Sequence, residues 1–354
     1  MSAKINGIQQ LGVGVVDLNE AWKWYRTHFG MDIRMFEDEA VAELMLPYTE
    51  GEPRARHAAL ALNMKGGGGF EIWQHKGKEP APLDFELQLG DLGINIGKLK
   101  ADNLEKAFIE FKNRGLEVLS EIVKSPDGKE HFFLRDYLGN LWEIVSHHEV
   151  FRHDKSLTGG VLGVIIGVED MEESLKVYRD ILQYDNLIYD KTDSFSDLHC
   201  LPGGNGEFRR VKIGHSNTRS GAFSKFFGNT YIELVQALDR KPHRIYEGRI
   251  WGDPGFIHLC FDINGIDAMR ETARQAGYPF TVDSARSMDT FDMGETAGNF
   301  AYIQAPEGTL IEFVETHKIP ILKKLGWYID FRKRGHHPLP EWLLGFFRFK
   351  RIKD

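Results

Sequence analysis

The chain carries one short strand frame four times: F-E-I-W at Phe70–Trp73, W-E-I-V at Trp142–Val145, I-E-L-V at Ile232–Val235 and I-E-F-V at Ile311–Val314. Each frame closes a unit of roughly 70 to 90 residues that opens on an apolar strand and continues through a helix. A repeat of that length constrains the fold more than local propensity does, because each unit must bury its apolar face against a copy of itself. The repeat also sets Glu71, Glu143, Glu233 and Glu312 at equivalent positions. A carboxylate flanked by apolar strand residues is costly to bury unless a cation or a donor meets it. The pattern therefore points to metal chemistry.

The periodicity predicts βαβββ in every unit. The first opens with a strand at Ile8–Val16, and Asp17 caps a helix over Leu18–Phe29 that Gly30 ends. The second opens near Leu92–Leu99, with a helix over Leu104–Arg114. The third opens at Val161–Val168, and Asp170 caps a helix over Met171–Leu182. The fourth opens at Phe256–Ile263, with a helix over Ile266–Ala276. The glycine run Gly66–Gly69 has no helix and no Lys-Ser/Thr after it, so it reads as a hairpin turn and not a phosphate loop. Asp283–Gly298 is a long loop of the kind that carries function.

Units one and two are expected to pair as a domain over residues 1–150, and units three and four as a second over residues 158–317. A polar, then glycine-rich linker at Phe151–Gly160 joins them. Residues 318–354 form a basic aromatic arm, ten Lys/Arg against three acids with seven aromatics, expected to pack over the domains or a partner subunit.

A formal net charge of −8 argues against a nucleic-acid partner. Cys200 and Cys260 are the only cysteines, which suits a reducing compartment. No signal core and no long apolar run is present, so a cytoplasmic chain with no membrane partner is expected. A small molecule, and a second copy of the chain in a homodimer, are the partners to expect.

Three segments carry a family resemblance: G-V-G-V-V-D-L-N-E-A-W-K-W-Y at Gly12–Tyr25, L-G-N-L-W-E-I-V at Leu138–Val145 and G-V-E-D-M-E-E-S-L-K-V-Y at Gly167–Tyr178. With the four units in order, the chain resembles the vicinal oxygen chelate superfamily, which includes glyoxalase I, bleomycin-resistance proteins and extradiol dioxygenases. The resemblance implies an α+β fold of four βαβββ units paired into two open β-cups. It also implies that metal ligands come from the opening and closing strands of each paired set.

In that pattern the opening-strand ligand stands seven residues before the helix cap, which gives Gln10 from Asp17 and Gly163 from Asp170. His258 takes the place in unit four, while in unit two the register is open and Asn95 is the only polar candidate. The resemblance then implies a metal set of Glu233, His258 and Glu312, with Gln10, Glu71 and Glu143 as a weaker second set. One imidazole and two carboxylates suit Fe(II), Mn(II) or Zn(II), with positions left for substrate.

Tyr302–Glu312, Y-I-Q-A-P-E-G-T-L-I-E, is similar to a segment of the extradiol enzymes, which implies Glu312 as ligand and Tyr302 as a polar contact to substrate. Those enzymes want two histidines and one carboxylate, and Gly163 stands where the first histidine would be. His199 and His215 are candidates for a base or substrate contact. One of Arg209 and Arg210 must face the cup because strand side chains alternate, with Arg209 the candidate for a substrate anion.

The reading that follows is a divalent-metal enzyme acting on a small oxygenated molecule by glyoxalase-type isomerase or lyase chemistry, with Glu233 or Glu312 free to serve as base. An extradiol-like dioxygenase and a metal-free binding protein are the alternatives.

Overall fold

The computed structural model describes residues 3–287, 291–292, 297–322, 327–331 and 337–352. Unit one comprises β1 (Lys4–Gly14), α1 (Leu18–Phe29), β2 (Ile33–Ala42), β3 (Arg54–Leu62) and β4 (Gly69–His75). Unit two comprises β5 (Gly93–Ala101), α2 (Leu104–Asn113), β6 (Glu117–Val118), β7 (Val123–Lys124), β8 (Glu130–Arg135) and β9 (Leu141–Ser146). Unit three comprises β10 (Val161–Gly167), α3 (Met171–Leu175), β11 (Asn186–Asp193), β12 (Phe208–Gly214), α4 (Ser224–Phe227) and β13 (Tyr231–Ala237). Unit four comprises β14 (Gly255–Asn264), α5 (Ile266–Gln275), β15 (Val282–Asp283), α6 (Ser284–Ser287), β16 (Phe291–Asp292), β17 (Ala297–Gln304) and β18 (Leu310–Leu322). A strand β19 (Trp327–Asp330) and a short helix α7 (Glu341–Leu344) follow.

Side-chain caps start the helices of units one to three, while α5 starts on Gly265 without one. Asp17 Oδ1 accepts from Glu20 N at 2.9 Å, Asn103 Oδ1 from Lys106 N at 2.9 Å and Asp170 Oδ1 from Glu173 N at 3.0 Å. The third helix is α-helical only to Leu175 and continues as a π turn over Lys176–Ile181.

The strands form two curled sheets. One runs β15-β17-β18-β14-β1-β4-β3-β2, and the other runs β11-β12-β13-β10-β5-β9-β8-β6. Unit one therefore shares a cup with unit four, and unit two with unit three. This corrects the expected pairing of one with two and three with four, since residues 1–150 and 158–317 each give one unit to each sheet. The four opening strands offer like edges, so the repeat is blind to which two meet. The choice falls on β1 and β14, whose antiparallel ladder runs from Lys4↔Asn264 to Gly14↔Gly255, while β5 and β10 register only at Val161↔Leu99.

The expected hairpin turn lies between β3 and β4, and it also packs against the linker. A Cβ on Gly160 would come 2.4 Å from the Gly68 carbonyl oxygen, so the two backbones touch where the chain passes between sheets. The main core lies between the outer faces of the sheets, where Leu11, Leu99, Trp142 and Leu259 meet Tyr25 and Phe29 of α1.

The expected boundary at 317 falls inside β18, which runs on to pair with β19. Further along the arm, Leu339 and Leu344 bury against Phe223, Phe226 and Phe227, and Ile352 N donates to Asp32 O at 2.9 Å. The arm thus closes over the first cup. Of the loop expected over 283–298, residues 288–290 and 293–296 lie outside the described residues. Among the described residues no helix is long and apolar enough to cross a membrane.

Candidate metal centre

The first cup brings four side chains together from four adjacent strands, β4, β1, β14 and β18. Alternation along β1 sends Leu11 and Val13 to the core and leaves Gln10 and Gly12 on the inner face. Gly12 pairs with Glu71 on one side and with His258 on the other. Cys260, two residues after His258, pairs with Glu312. The inner face therefore presents Gln10, Glu71, His258 and Glu312 around one point.

His258 Nε2 is fully buried and lies 3.0 Å from Glu71 Oε2 and 3.3 Å from Glu312 Oε2. Neither contact has good hydrogen-bond alignment, so the nitrogen has no satisfied partner. Gln10 Nε2 donates to Glu71 Oε2 at 2.9 Å and to Glu312 Oε2 at 3.5 Å. Donor atoms of Glu71, His258 and Glu312 all lie within 4.8 Å of one another. An imidazole nitrogen aimed between two buried carboxylates fits a divalent ion, with the Gln10 amide able to turn its oxygen inward as a fourth ligand.

The electrostatics agree. Burial pushes the Glu312 carboxyl up to about 7, and the charge of Glu71 beside it adds to the rise against the pull of His258. Burial acts on Glu71 too, but His258, Arg56 and the Gln10 amide hold it below its ordinary value. Burial opposes charge on His258, yet the two carboxylates raise it above its ordinary value. Two acids in one site are thus driven in opposite directions.

Neighbours hold the set in place. The indole N–H of Trp251 points at His258 Nδ1 at 3.4 Å. Tyr302 lies opposite Glu312 on β17, buried, with its ring edge-on to His258. A Cβ at residue 12 would stand 2.6 Å from His258 Cε1 and 2.7 Å from Nδ1, so only glycine leaves room for this imidazole. Gly12→Ala is accordingly expected to weaken Mn(II) binding by at least ~10-fold, a loss of the size that follows disturbed ligand orientation. The far-UV circular dichroism should stay unchanged, and Mn(II) titration followed by electron paramagnetic resonance checks the loss.

Above this cluster opens a cavity of about 340 Å³. Glu71, Glu312 and Tyr302 line its floor, and Phe223, Phe226 and Phe227 from the α4 region with Phe347 from the arm line its far side. None of these phenylalanines was marked by the repeat. Their only sequence signal is aromatic residues outside the repeated strand frames, in the stretch between β12 and β13 and in the arm.

The second cup is built differently. Glu143 and Glu233 stand at its centre, and the Lys98 ammonium bonds both, to Glu233 at 2.6 Å. Arg210 also bonds Glu233 and reaches Asp197 at 2.8 Å. Tyr189 donates to Glu233 at 2.7 Å, and His131 Nδ1 lies 3.0 Å from Glu143. Burial would raise Glu143, but Lys98 and His131 hold it down at about 2. Burial would raise Glu233 likewise, and Arg210, Lys98 and Lys212 keep it well below the usual carboxylate range. Phe195, Leu198 and Leu201 pack over this cup.

The expected ligand sets are therefore regrouped. Glu233 does not meet His258 and Glu312, because unit three belongs to the other sheet. Glu143 leaves Gln10 and Glu71 for the same reason. Asn95 is no ligand: its side chain bonds the backbone of Gly90, Asp91 and Gly93. The inward arginine is Arg210, and Arg209 points outward to Asp190 and Glu172. His199 is exposed beside Ser194, and His215 bonds the Gln183 carbonyl and stacks on Tyr184, so neither reaches the cavity. Tyr302 alone of the expected substrate contacts lies in it.

Residues 7–144 match the profile described as the Glyoxalase/Bleomycin resistance protein/Dioxygenase superfamily, and residues 164–293 match a second profile of that superfamily. The chain belongs to this superfamily, as a two-domain member of vicinal oxygen chelate type. No curated protein sequence matches it. Among solved structures, glyoxalase I from Zea mays is similar at 15% identity, with 89% of this chain and 92% of that one covered and a TM-score of 0.53. A protein described as an inferred dioxygenase from Bacillus subtilis is similar at 14% identity over 88% of this chain and 86% of that one, with a TM-score of 0.53. At these identities the likeness speaks for the fold alone.

Proposed function

We propose that this chain is a divalent-metal enzyme of the first cup, with Gln10, Glu71, His258 and Glu312 as ligands and a small molecule bearing two adjacent oxygens as substrate. One observation carries the reading: Gln10, Glu71, His258 and Glu312, from the opening and closing strands of two units, converge at the floor of a cavity, and the buried His258 Nε2 among them has no hydrogen-bond partner. Fe(II), Mn(II) and Zn(II) all suit one imidazole, two carboxylates and an amide. Such an ion supplies Lewis-acid stabilisation to oxygens that gain negative charge.

The chain's own groups supply the proton chemistry. Glu312, with its carboxyl near neutrality, is the side chain suited, when off the ion, to take the proton from the hydroxyl-bearing carbon beside the carbonyl and return it to the carbonyl carbon, while the hydroxyl proton passes to the carbonyl oxygen. Glu71 stays ionised and does not compete for that proton. Tyr302, buried against Glu312, keeps its hydroxyl protonated and orients the carboxylate as a donor. The chemistry is isomerase or lyase work with no net redox change.

The extradiol-like reading is supported by Tyr302 beside Glu312. It is weakened by the ligand set, which has one histidine where that chemistry wants two. The test is a set of Mn(II)-, Zn(II)- and anaerobically Fe(II)-loaded proteins given α-hydroxyketones in D₂O. Metal-dependent deuterium incorporation next to the oxygens is expected by NMR, falling by about 100-fold or more in Glu312→Gln. Oxygen uptake with catechols by the Fe(II) form, without exchange in any form, would establish the rival. Tight ligand binding that survives metal removal would favour a plain binding protein.

A further inference from the structure

The cavity over the metal-type cluster has an unusual charge arrangement for a site that must hold a small oxygenated molecule. Arg56 is the one cation among its described lining residues. Its guanidinium is already engaged, with Nη1 donating to Asp38 Oδ1 at 2.6 Å and Nη2 to Oδ2 at 3.3 Å. The acids Asp38, Glu43, Glu71 and Glu312 line the same space. Among the described residues a substrate carboxylate or phosphate would therefore meet no available cation beyond the metal end, and would lie among like charges. Losing hydration there without a partner is costly.

The remaining wall is aromatic. Trp73 and Trp251 pack edge to face at 4.6 Å near the floor, Phe36 and Phe300 stand beside them, and Phe227 and Phe347 close the far side. Pockets of this size hold a ligand by apolar contact over most of its surface, with polar groups at one end only. Here the polar end is the ligand cluster and the apolar end faces ring edges and planes, which favour another ring.

Resting on the metal-enzyme reading above, we infer that the substrate is an uncharged, aryl-bearing compound whose two adjacent oxygens reach the Gln10, Glu71, His258 and Glu312 cluster while its ring fills the space under Phe227 and Phe347. Small aliphatic compounds of the same oxygen pattern leave that space empty. Anionic conjugates are rejected by the acids.

The test uses Mn(II)-loaded full-length protein and three α-hydroxyketones: benzoin, its para-carboxylated form and hydroxyacetone. Isothermal titration gives the affinities, and quenching of tryptophan fluorescence reports entry beside Trp73 and Trp251. Benzoin is expected to bind about 10- to 100-fold more tightly than hydroxyacetone, the gain from burying one of its two rings. It should bind at least ~10-fold more tightly than the carboxylated form, as for a charge left without a partner. Asp38→Asn, which releases the Arg56 guanidinium, should narrow the second gap, whereas Arg56→Met should leave it in place. Equal or tighter binding of the carboxylated form, equal binding of hydroxyacetone, or no binding of any of the three would overturn the inference. If benzoin keeps its preference but binds equally well without Mn(II), the aryl assignment holds and the metal-enzyme reading fails.

Discussion

Purified protein with His258 replaced by alanine should lose its bound divalent ion, while protein with Glu233 replaced by glutamine should keep it. The first cup supplies all four donors from units one and four, and His258 is the only imidazole among them. Disturbing a residue that only orients a metal ligand commonly costs about 10- to 100-fold in metal affinity, so removing a direct ligand should cost at least ~100-fold. Glu71→Gln and Glu312→Gln should weaken binding as well, because each removes one negative charge from the set. Elemental analysis after dialysis against a weak chelator, followed by Mn(II) titration, checks the order. Retention of one ion per chain in His258→Ala, or its loss in Glu233→Gln, would move the centre to the other cup. Proton competition adds a second reading of the same site. Glu312 must be ionised and His258 neutral to bind, so affinity should climb as pH rises through about 7, the Glu312 value, and level off only where His258, itself raised by the two carboxylates, has lost its proton. Glu71, held below its ordinary value, contributes no step in that window.

The strand positions that meet on the inner faces of the cups were legible in the sequence; the company they keep was not. Counting seven residues back from the helix cap gave Gln10 and Gly163, and the structure extends the count to unit two. Its cap is Asn103, and the same spacing reaches Ile96, so that unit has no opening-strand ligand. From the sequence the register of this unit was open between Ile94 and Ile96, with Asn95 the only polar candidate. A strand register off by one turns a side chain to the opposite face, and Asn95 indeed points to backbone partners. Lys98 was legible by the same count, two residues past Ile96 and on the same face, level with Glu143. Its meaning was hidden because an ammonium in an apolar strand acquires a role only once two carboxylates are known to face it. The pairing of units was not legible because βαβββ repeats present equivalent edges, and nothing in apolar periodicity ranks one edge against another. Gly12 could not be singled out either. Glycine in a strand usually marks a bulge or a close approach, and only the position of His258 across the ladder says which. The phenylalanine roof lay in a helical stretch of four residues and a short helical turn of the arm, too brief for periodicity to carry a signal.

Lys98→Met should cost the protein about 3–5 kcal/mol of stability, more than any substitution in the first cup. The ammonium occupies, in the second cup, the place a metal would hold between closing-strand glutamates. Opening-strand donors are missing there, since the equivalent residues are Ile96 and Gly163, so an ion would find only two carboxylates from those positions. Lys98 is itself buried, and it is raised above its ordinary value because Glu143 and Glu233 outweigh the effect of burial. Removing it leaves Glu143 with His131 alone and Glu233 with Arg210 and Tyr189. Denaturant unfolding measures the loss. Adding Glu143→Gln to Lys98→Met should recover a large part of it, because the cost is that of a buried charge without a partner rather than of a lost contact. The pH profile carries the sign. Glu143 has its folded value depressed to about 2, so its contribution is present in full above about pH 4.5 and is lost as pH falls through 2. In Lys98→Met that depression shrinks, and the stability lost on acidification below pH 4.5 should shrink with it. Mn(II) binding in the first cup should be unaffected in the same variant wherever it remains folded. A stable Lys98→Met protein with an unchanged acid limb would mean that Arg210 and His131 suffice, and that the lysine does not stand in for an ion.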